Sequence, residues 1–395
     1  MTLQTGLLVL PSRPAHEVAD LAVRAEALGY DDFWVADERF FREVYGVLAL
    51  AAARTTRIRL GPCVTDPYSR HPALTAMAIA TLDDISGGRA VLGIGAGVSG
   101  FKELGVKADR SAVAIRESVE LIRRLLAGDT VTVKGEEVSF DDGRLDFTPP
   151  RANVPIYVAS QREAGCRVAG RVADGAIMQG CVADPLVQFF KGAVAEGARR
   201  AGRDPRSVEL IARLNVCVSD DWKAARDVMR PTIVRSLAAQ RRDFFTFRTA
   251  GLEIPDALRN AVARLTYTHD TAPLMKAAPL VPDAFVDAVA LTGPPAEIAR
   301  GVVRLARSGI AQLMVYPMAT AGNSASTVER FQTEVMPAVR KAGRITKPPP
   351  VSRARPAFAK SSPGSVLVLK CPRSGVKFRP NDTAKFHARA AGRVD

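Results

Sequence analysis

The sequence predicts an α/β protein built as a closed (β/α)8, or TIM, barrel. Two observations lead to this class: short apolar runs alternate with amphipathic helical segments along residues 1–343, and the alternation occurs eight times. Strictly alternating strands and helices predict a parallel sheet, and strands that are apolar throughout indicate that both faces of the sheet are covered. Eight units with insertions fit a barrel, which typically takes about 250 residues. A doubly wound open sheet is the alternative.

The first unit shows how each element is assigned. An apolar run ends at Pro11, and Val18, Ala25 and Leu28 then follow at helical spacing before Gly29, a residue typical of helix ends. The same criteria give eight strands: Thr5–Leu10, Asp32–Asp37, Arg57–Thr65, Ala90–Ile94, Pro155–Ser160, Gly175–Gln179, Ser207–Val218 and Gln312–Pro317. They also give eight helices: Pro14–Leu28, Glu43–Arg54, Pro72–Ile85, Ser111–Ala127, Glu163–Val172, Pro185–Ala201, Glu297–Arg307 and Thr327–Lys341.

Two stretches do not fit the alternation and are predicted insertions. Asp129–Pro150, after the fourth helix, reads as a β-hairpin with its turn at Asp142-Gly143. Asp220–Thr292, after the seventh strand, reads as mostly helical. In a barrel, an insertion after a strand lies at the end where ligands bind, so the second insertion is expected to shape a pocket.

The positive charge is concentrated at the end of the chain. The protein has a net charge of +14, but residues 344–395 hold twelve basic and two acidic residues and so carry +10 of it. This tail is rich in Pro, Ser, Arg and Lys, which predicts a disordered extension to a domain of residues 1–343. The domain of residues 1–343 has nearly equal numbers of basic and acidic residues and is therefore not expected to bind nucleic acid. For the tail, a weak polyanion-binding arm is the alternative to an extension without function.

A cytoplasmic protein without membrane contact is predicted. The N-terminus lacks the basic segment of a signal peptide, and no apolar run approaches the roughly 20 residues that span a bilayer. The cysteines are odd in number and form no CxxC pair, which is typical of reduced thiols: they stand at 63, 166, 181, 217 and 371.

Candidate functional residues follow the predicted strands, because barrel enzymes build their sites from the loops at the carboxyl ends of the strands. Acidic residues follow one strand, and glycine, hydroxyl or amide residues follow others. The candidates are Asp37 and Glu38 after strand two, Cys63, Val64 and Thr65 after strand three, Gly95, Ala96 and Gly97 after strand four, Ser160, Gln161 and Arg162 after strand five, and Gln179 and Gly180 after strand six.

The loop after strand four fits the GxGxxG pattern over residues 95–100. It does not favour a dinucleotide site, because it follows the fourth strand and the next clear helix begins only near Ser111. A glycine surface against which a planar ring can lie is the preferred interpretation, and a simple tight loop is the alternative. The four histidines have no metal-ligand spacing, and no GxSxG or Walker A sequence occurs, so an organic cofactor is expected to supply the chemistry.

These segments resemble the luciferase-like flavin-dependent oxidoreductases, over roughly residues 1–343. The resemblance is greatest to the branch that uses coenzyme F-420, an 8-hydroxy-5-deazaflavin, and that includes methylenetetrahydromethanopterin reductase. The segments that carry it, in order, are Gly29–Asp37, Arg57–Thr65, Arg70–Ala73, Ser86–Gly97, Pro155–Ser160 and Ala173–Gly175.

The resemblance implies a barrel with an insertion near strands seven and eight, and a non-prolyl cis peptide at Cys63–Val64 that backs the flavin ring. It also implies that Asp37 touches the ring end of the coenzyme and that the loop from Ser160 to Ala164 holds its phosphate through backbone N–H groups. The family commonly has a glycine in that loop, where this chain has Arg162, which can supply charge. A solvated side chain at the helix start is the alternative role for Arg162.

Glu38 replaces the catalytic histidine of the sugar-phosphate dehydrogenases in this branch, and Val98 replaces their glutamate. Both departures favour a reductase, with Glu38 as a candidate proton donor; a salt bridge to Arg39 or Arg42 is its alternative role. The resemblance thus implies hydride transfer between coenzyme F-420 and a small organic substrate by an enzyme that can form a homodimer. The alternative is an FMN-dependent monooxygenase, and a more remote one is a non-catalytic flavin- or nucleic-acid-binding protein.

Overall fold

The computed structural model describes residues 3–97, 99–240, 243–265, 268 and 270–343. Val98 and the predicted tail at 344–395 lie outside the described residues, so the expected domain boundary at 343 stays a prediction. No helix in the described part of the chain is both long and apolar enough to cross a membrane.

Eleven strands and fifteen α-helices are described. The strands are β1 (Gln4–Val9), β2 (Asp32–Val35), β3 (Arg59–Pro62), β4 (Leu92–Gly95), β5 (Val131–Lys134), β6 (Ser139–Gly143), β7 (Ile156–Ala159), β8 (Gly175–Gln179), β9 (Glu209–Val218), β10 (Ala290–Gly293) and β11 (Gln312–Pro317). The helices are α1 (Ala15–Leu28), α2 (Val44–Arg54), α3 (Pro72–Ser86), α4 (Ser111–Leu126), α5 (Glu163–Val172), α6 (Asp184–Arg200), α7 (Trp222–Asp227), α8 (Arg230–Ala239), α9 (Phe245–Thr249), α10 (Asp256–Val262), α11 (Ala272–Ala277), α12 (Asp283–Val289), α13 (Pro295–Arg307), α14 (Ala325–Arg330) and α15 (Met336–Gly343).

Eight parallel strands form the predicted barrel. Hydrogen-bonded neighbours run in the order β3, β2, β1, β11, β9, β8, β7, β4. Isolated parallel bridges join Leu60 to Ala90 and Thr65 to Ile94, which brings β3 and β4 together and closes the ring. The short β10 pairs with the carboxyl-terminal half of β9 outside this order. Helices α7 to α12 lie between β9 and β10 along the chain, so the helical insertion after the seventh barrel strand is present.

The hairpin after α4 is also present, but its predicted turn is wrong. Lys134 pairs with Ser139, so the turn spans residues 135–138, and the expected Asp142-Gly143 turn instead ends β6. The reason lies in α4: the buried Glu117 carboxylate accepts the backbone N–H groups of residues 136, 137 and 138 at 3.0–3.1 Å. These charge-assisted bonds fix where the chain reverses.

Side chains fill the barrel interior in layers. The middle layer is apolar and buried, and consists of Leu8, Trp34, Val91, Tyr157, Ile177, Ile211 and Met314. At the amino-terminal end, Asp32 is fully buried and accepts a bond from Arg59 Nη2 at 2.8 Å and a second from Gln312. Arg59 also donates to Gln4 at 3.0 Å. We call Gln4, Asp32, Arg59 and Gln312 the lower network; it closes this end of the barrel.

Candidate functional site

The sequence-predicted residues all lie at the carboxyl ends of barrel strands. Asp37 and Glu38 follow β2; Cys63, Val64 and Thr65 follow β3; Gly95 ends β4, with Ala96 and Gly97 after it; Ser160, Gln161 and Arg162 follow β7; and Gln179 ends β8, before Gly180. Two groups result. One gathers around Asp37 and Thr65, and the other lines a cavity next to the helical insertion.

The cis peptide implied by the resemblance is present between Cys63 and Val64. A second non-prolyl cis peptide, between Arg39 and Phe40, was not expected. The side chains of Cys63 and Val64 pack against the apolar middle layer of the barrel. The segment after β3 therefore forms the upper surface of the barrel interior.

Neighbouring side chains account for the glycines after β4. A Cβ atom at Gly95 would stand 2.8 Å from Val64 Cγ2 and 3.2 Å from the Ala159 carbonyl oxygen. Gly97 has a φ of 66°, and a Cβ there would stand 3.1 Å from both Asp66 Cβ and Phe101 Cζ. The space that glycine leaves is thus occupied by the protein itself. Gly95 lets the Val64 side chain approach β4. The expected glycine surface for a ring stays a prediction.

Arg39 joins the loops that follow β2 and β3. Its Nη1 donates to Asp37 Oδ1 at 2.8 Å and to the Asp37 carbonyl oxygen at 2.9 Å, while Nη2 donates to Asp66 and to Ser69. Its backbone N–H donates to Ser99 Oγ at 3.2 Å, in the loop after β4. We call Arg39, Asp37, Asp66 and Ser69 the Arg39 network. It is the most buried ionic group at this end of the described barrel: the three charged side chains are 14%, 10% and 3% exposed.

Three buried polar atoms beside the Arg39 network have no hydrogen-bond partner in the described part of the chain: Asp37 Oδ2, Thr65 Oγ1 and the Tyr45 hydroxyl. Burial raises the pKa of Asp37, and the nearby Arg39 only partly opposes it. Burial and the Asp37 charge likewise raise the pKa of Tyr45. The Thr65 hydroxyl is near enough to influence both pKa values, yet it forms a well-directed hydrogen bond with neither group. We call these three residues the upper cluster.

The second group lines a cavity between β7, β8, β9 and the helical insertion, which we call the insertion cavity. It is a narrow cavity of about 30 Å³ that opens to solvent. Three predicted residues line it, Gln161, Gln179 and Gly180. Arg213, on β9, lines it too and was missed by the sequence analysis. The signal was available: Arg213 is the one basic residue in a mostly apolar strand, where every second residue faces the interior.

Arg162 is held by the insertion. Its guanidinium pairs with Asp243 and lies 5.3 Å from the centre of the Phe245 ring, and this pairing lowers the pKa of Asp243. Its backbone N–H donates to Ser160 Oγ at 3.0 Å, one residue before α5 begins. The Arg162 charge is therefore already compensated in part, and the residue links the loop after β7 to the insertion.

Known proteins are similar to this chain in sequence and in fold. The luciferase-like monooxygenase family matches residues 2–312. A 5,10-methylenetetrahydromethanopterin reductase from Methanolobus tindarius is 31% identical over 310 residues, which cover 78% of this chain and 92% of that protein. An F-420-dependent glucose-6-phosphate dehydrogenase from Kineococcus radiotolerans is 32% identical over 241 residues, with 57% and 71% covered.

Among solved structures, the coenzyme F-420-dependent tetrahydromethanopterin reductase from Methanopyrus kandleri matches with a TM-score of 0.75 at 25% identity, over 85% of this chain and 99% of that one. A monooxygenase from Streptomyces bottropensis shares the fold at a TM-score of 0.61 and 23% identity, over 85% and 99% of the two chains. These matches confirm the predicted barrel and the prediction of an enzyme, an oxidoreductase. The chain therefore belongs to the luciferase-like monooxygenase family.

Proposed function

We propose that this enzyme transfers a hydride between coenzyme F-420 and a small organic substrate, as the methylenetetrahydromethanopterin reductases do. The observation that carries the proposal is the similarity to those reductases over 92% of the length of one relative, together with the structural match to another. When bound, the deazaflavin ring supplies the position that gives or accepts the hydride. The protein has to bind that ring, exclude water and manage the accompanying proton.

The upper cluster fits such a ring. Asp37 Oδ2, Thr65 Oγ1 and the Tyr45 hydroxyl are buried without partners, so they can exchange hydrogen bonds with the polar edge of a heterocycle at little desolvation cost. Cys63 and Val64 offer an apolar surface next to them. In this proposal the ring contacts Asp37, Cys63, Val64, Thr65, Gly95, Ala96 and Gly97, and the phosphate-bearing tail contacts Ser160, Gln161, Arg162, Gln179 and Gly180.

The protein's own proton chemistry is assigned to the loop after β2. Asp37 is buried with a raised pKa, so it holds a proton to higher pH than an exposed aspartate does. Glu38 is half-buried at the same strand end and is proposed as the proton donor. Replacing Glu38 with Gln should lower kcat far more than it lowers coenzyme affinity, because the amide keeps the shape but carries no acidic proton. Equal losses in both quantities would contradict the donor role.

Coenzyme binding tests the proposal directly. We expect coenzyme F-420 to bind the purified protein with quenching of its fluorescence, and to do so more tightly than FMN. The matching family is described as a monooxygenase family, and the alternative is an FMN-dependent monooxygenase acting with oxygen. Purified protein that retains FMN and fails to quench the deazaflavin would replace the proposal with that alternative.

The proposal includes a cytoplasmic location, which cell fractionation tests. It also includes a homodimer. Large apolar side chains are exposed on two neighbouring helices: Leu50 on α2, and Leu74, Met77 and Ile85 on α3. Exposed apolar side chains on adjacent helices are typical of protein interfaces. We expect light scattering to give twice the chain mass, and Met77→Glu to give the monomer. A monomeric unmodified protein would exclude this surface as a stable dimer interface.

A further inference from the structure

Arg213 lies inside the upper end of the barrel. On β9 it follows the buried Ile211 toward the carboxyl end and precedes Asn215, with all three on the inward-facing side of the strand. Its guanidinium carbon is 4.9 Å from the centre of the Tyr316 ring, and Nη1 donates to Asn215 Oδ1 at 3.4 Å. The same charge acts on the Cys63 thiol and opposes the burial that raises its pKa to about 12. The guanidinium therefore lies close to the surface formed after β3.

No carboxylate in the described ranges lies within ion-pair distance of Arg213. The other two arginines at the ends of the barrel interior are paired, Arg59 with Asp32 and Arg39 with Asp37 and Asp66. A half-buried guanidinium has lost part of its hydration, and an aromatic face and one long hydrogen bond compensate only part of that loss. An anion bound beside Arg213 would supply the missing countercharge.

The lining of the insertion cavity suits such an anion. Its lining carries no acidic residue, and Arg213 is its one ionic group among the described residues. On the same side the lining has the amide of Asn215 and the hydroxyl groups of Thr232 and Ser236, and Phe247, on α9 of the insertion, contributes an aromatic wall. One cation, several neutral donors and an apolar wall together suit a small molecule that is charged at one end and apolar at the other.

We infer that Arg213 binds an anionic oxygen of the substrate, a carboxylate or a similar oxyanion, and thereby selects organic acids over their neutral analogues. This inference rests on the proposed function, because it assigns the β9 and insertion side of the cavity to the substrate of that hydride transfer. The β7 and β8 side, with Gln161, Gln179 and Gly180, is left to the coenzyme tail. Arg213 acts as a specificity-determining residue: it orients the substrate through its charged end, while the apolar part packs toward Phe247.

Benzoate and benzamide test the inference, since they have nearly the same shape and differ in charge. Ligand-detected NMR titrations are run on the protein with and without saturating coenzyme F-420. We expect benzoate to bind about tenfold more tightly than benzamide, a preference of the size of one charge-assisted hydrogen bond. Arg213→Gln should abolish the preference and Arg213→Lys should retain part of it. Arg206→Gln is the matched control, because the Arg206 side chain is 90% exposed just before β9.

Each result decides the question. Unmodified protein that binds benzoate no more tightly than benzamide overturns the inference, as does a preference that survives in a folded Arg213→Gln protein. If that variant unfolds, the Arg213→Lys protein and the unmodified protein still report the preference. Coenzyme affinity, measured by fluorescence quenching, separates the two sources of an anion. If Arg213→Gln leaves the affinity for coenzyme F-420 unchanged, Arg213 is assigned to the substrate. If the coenzyme displaces benzoate and Arg213→Gln weakens the binding of both ligands equally, Arg213 is assigned to the coenzyme. Absence of coenzyme binding in the unmodified protein refutes the proposed function but leaves the coenzyme-free titrations decisive.

Discussion

Replacing Arg39 with Met tests whether the Arg39 network holds the upper end of the barrel together. Removing one partner of a buried ion pair typically costs about 3–5 kcal/mol of unfolding free energy. Asp66 would keep three protein donors, the N–H groups of Tyr68 and Ser69 and the Ser69 hydroxyl, at 2.7–2.9 Å. We therefore expect the low end of that range, about 3 kcal/mol, measured by urea unfolding. For a folded domain of this size the same loss lowers Tm by about 4 °C.

The loss should also depend on pH. Burial already raises the pKa of Asp37, and Arg39 opposes that rise, so removing the guanidinium raises the pKa further. A carboxyl whose folded-state pKa exceeds its unfolded value contributes full stability below the unfolded value, and that contribution is lost as pH rises through the folded one. The penalty of Arg39→Met should therefore be smaller in acid than at pH 8.

Arg42→Met is the matched control for the Arg39 prediction. Arg42 stands on the same loop, and its hydrogen bonds in the described part of the chain go to backbone carbonyl oxygens, that of Ser12 at 2.9 Å and that of Pro11 at 3.4 Å. We expect it to cost less than about 1 kcal/mol, as most surface substitutions do. Equal losses in the two variants, or an Arg39→Met penalty that is the same at acid and alkaline pH, would refute the reasoning.

Two further substitutions test local packing and the hairpin. Gly95→Ala should cost about 1–3 kcal/mol, because its Cβ would stand 2.8 Å from Val64 Cγ2. Gly192→Ala on α6 is the control, because a Cβ there would have no atom within 4 Å, and it should stabilise the protein by about 0.4–1 kcal/mol in urea unfolding. Equal effects of the two substitutions would contradict the packing argument. Glu117→Gln should cost about 1.5–3 kcal/mol at pH 7. Burial would raise the pKa of Glu117, but the three N–H groups outweigh it and hold the pKa below its ordinary value. The Glu117 carboxylate thus stabilises the fold above its ordinary pKa of about 4.3, and this stabilisation is lost as pH falls through the lower pKa of the folded state. A Glu117→Gln penalty that persists in strong acid would contradict this explanation.

Most of the barrel could be predicted from the sequence because its elements are local. Helix Glu163–Val172 and strands Gly175–Gln179 and Gln312–Pro317 begin and end where their apolar patterns predict. The failures depend on contacts between distant residues. The hairpin turn is set by the Glu117 carboxylate, about twenty residues earlier in the chain. The last helix is broken by a π-helical turn over Phe331–Val335 where it packs on the barrel.

The positions of the candidate site residues could be predicted from the sequence, but the contacts between them could not. Barrel geometry alone places the residues after each strand at one end of the molecule, so Asp37 and Thr65 could be grouped in advance. No periodicity indicates that Arg39 turns back to Asp37 and reaches Asp66, 27 residues away. Nor could the sequence show that Val64 occupies the space left by Gly95. These features arise from loops that meet only after the barrel closes.

Arg59 and Arg213, at opposite ends of the barrel interior, differ in the charges that surround them. Arg59 donates to both Asp32 oxygens, and the attraction of Asp32 outweighs the burial that would lower the pKa of the guanidinium. Its charge is balanced within the protein, so the lower network needs no ligand. Arg213 lies toward the opposite end of the same interior with no such countercharge in the described chain, next to a cavity lined by neutral donors. Because the charge of Arg59 is balanced within the protein and that of Arg213 is not, an anionic ligand is expected to bind at the carboxyl ends of the strands.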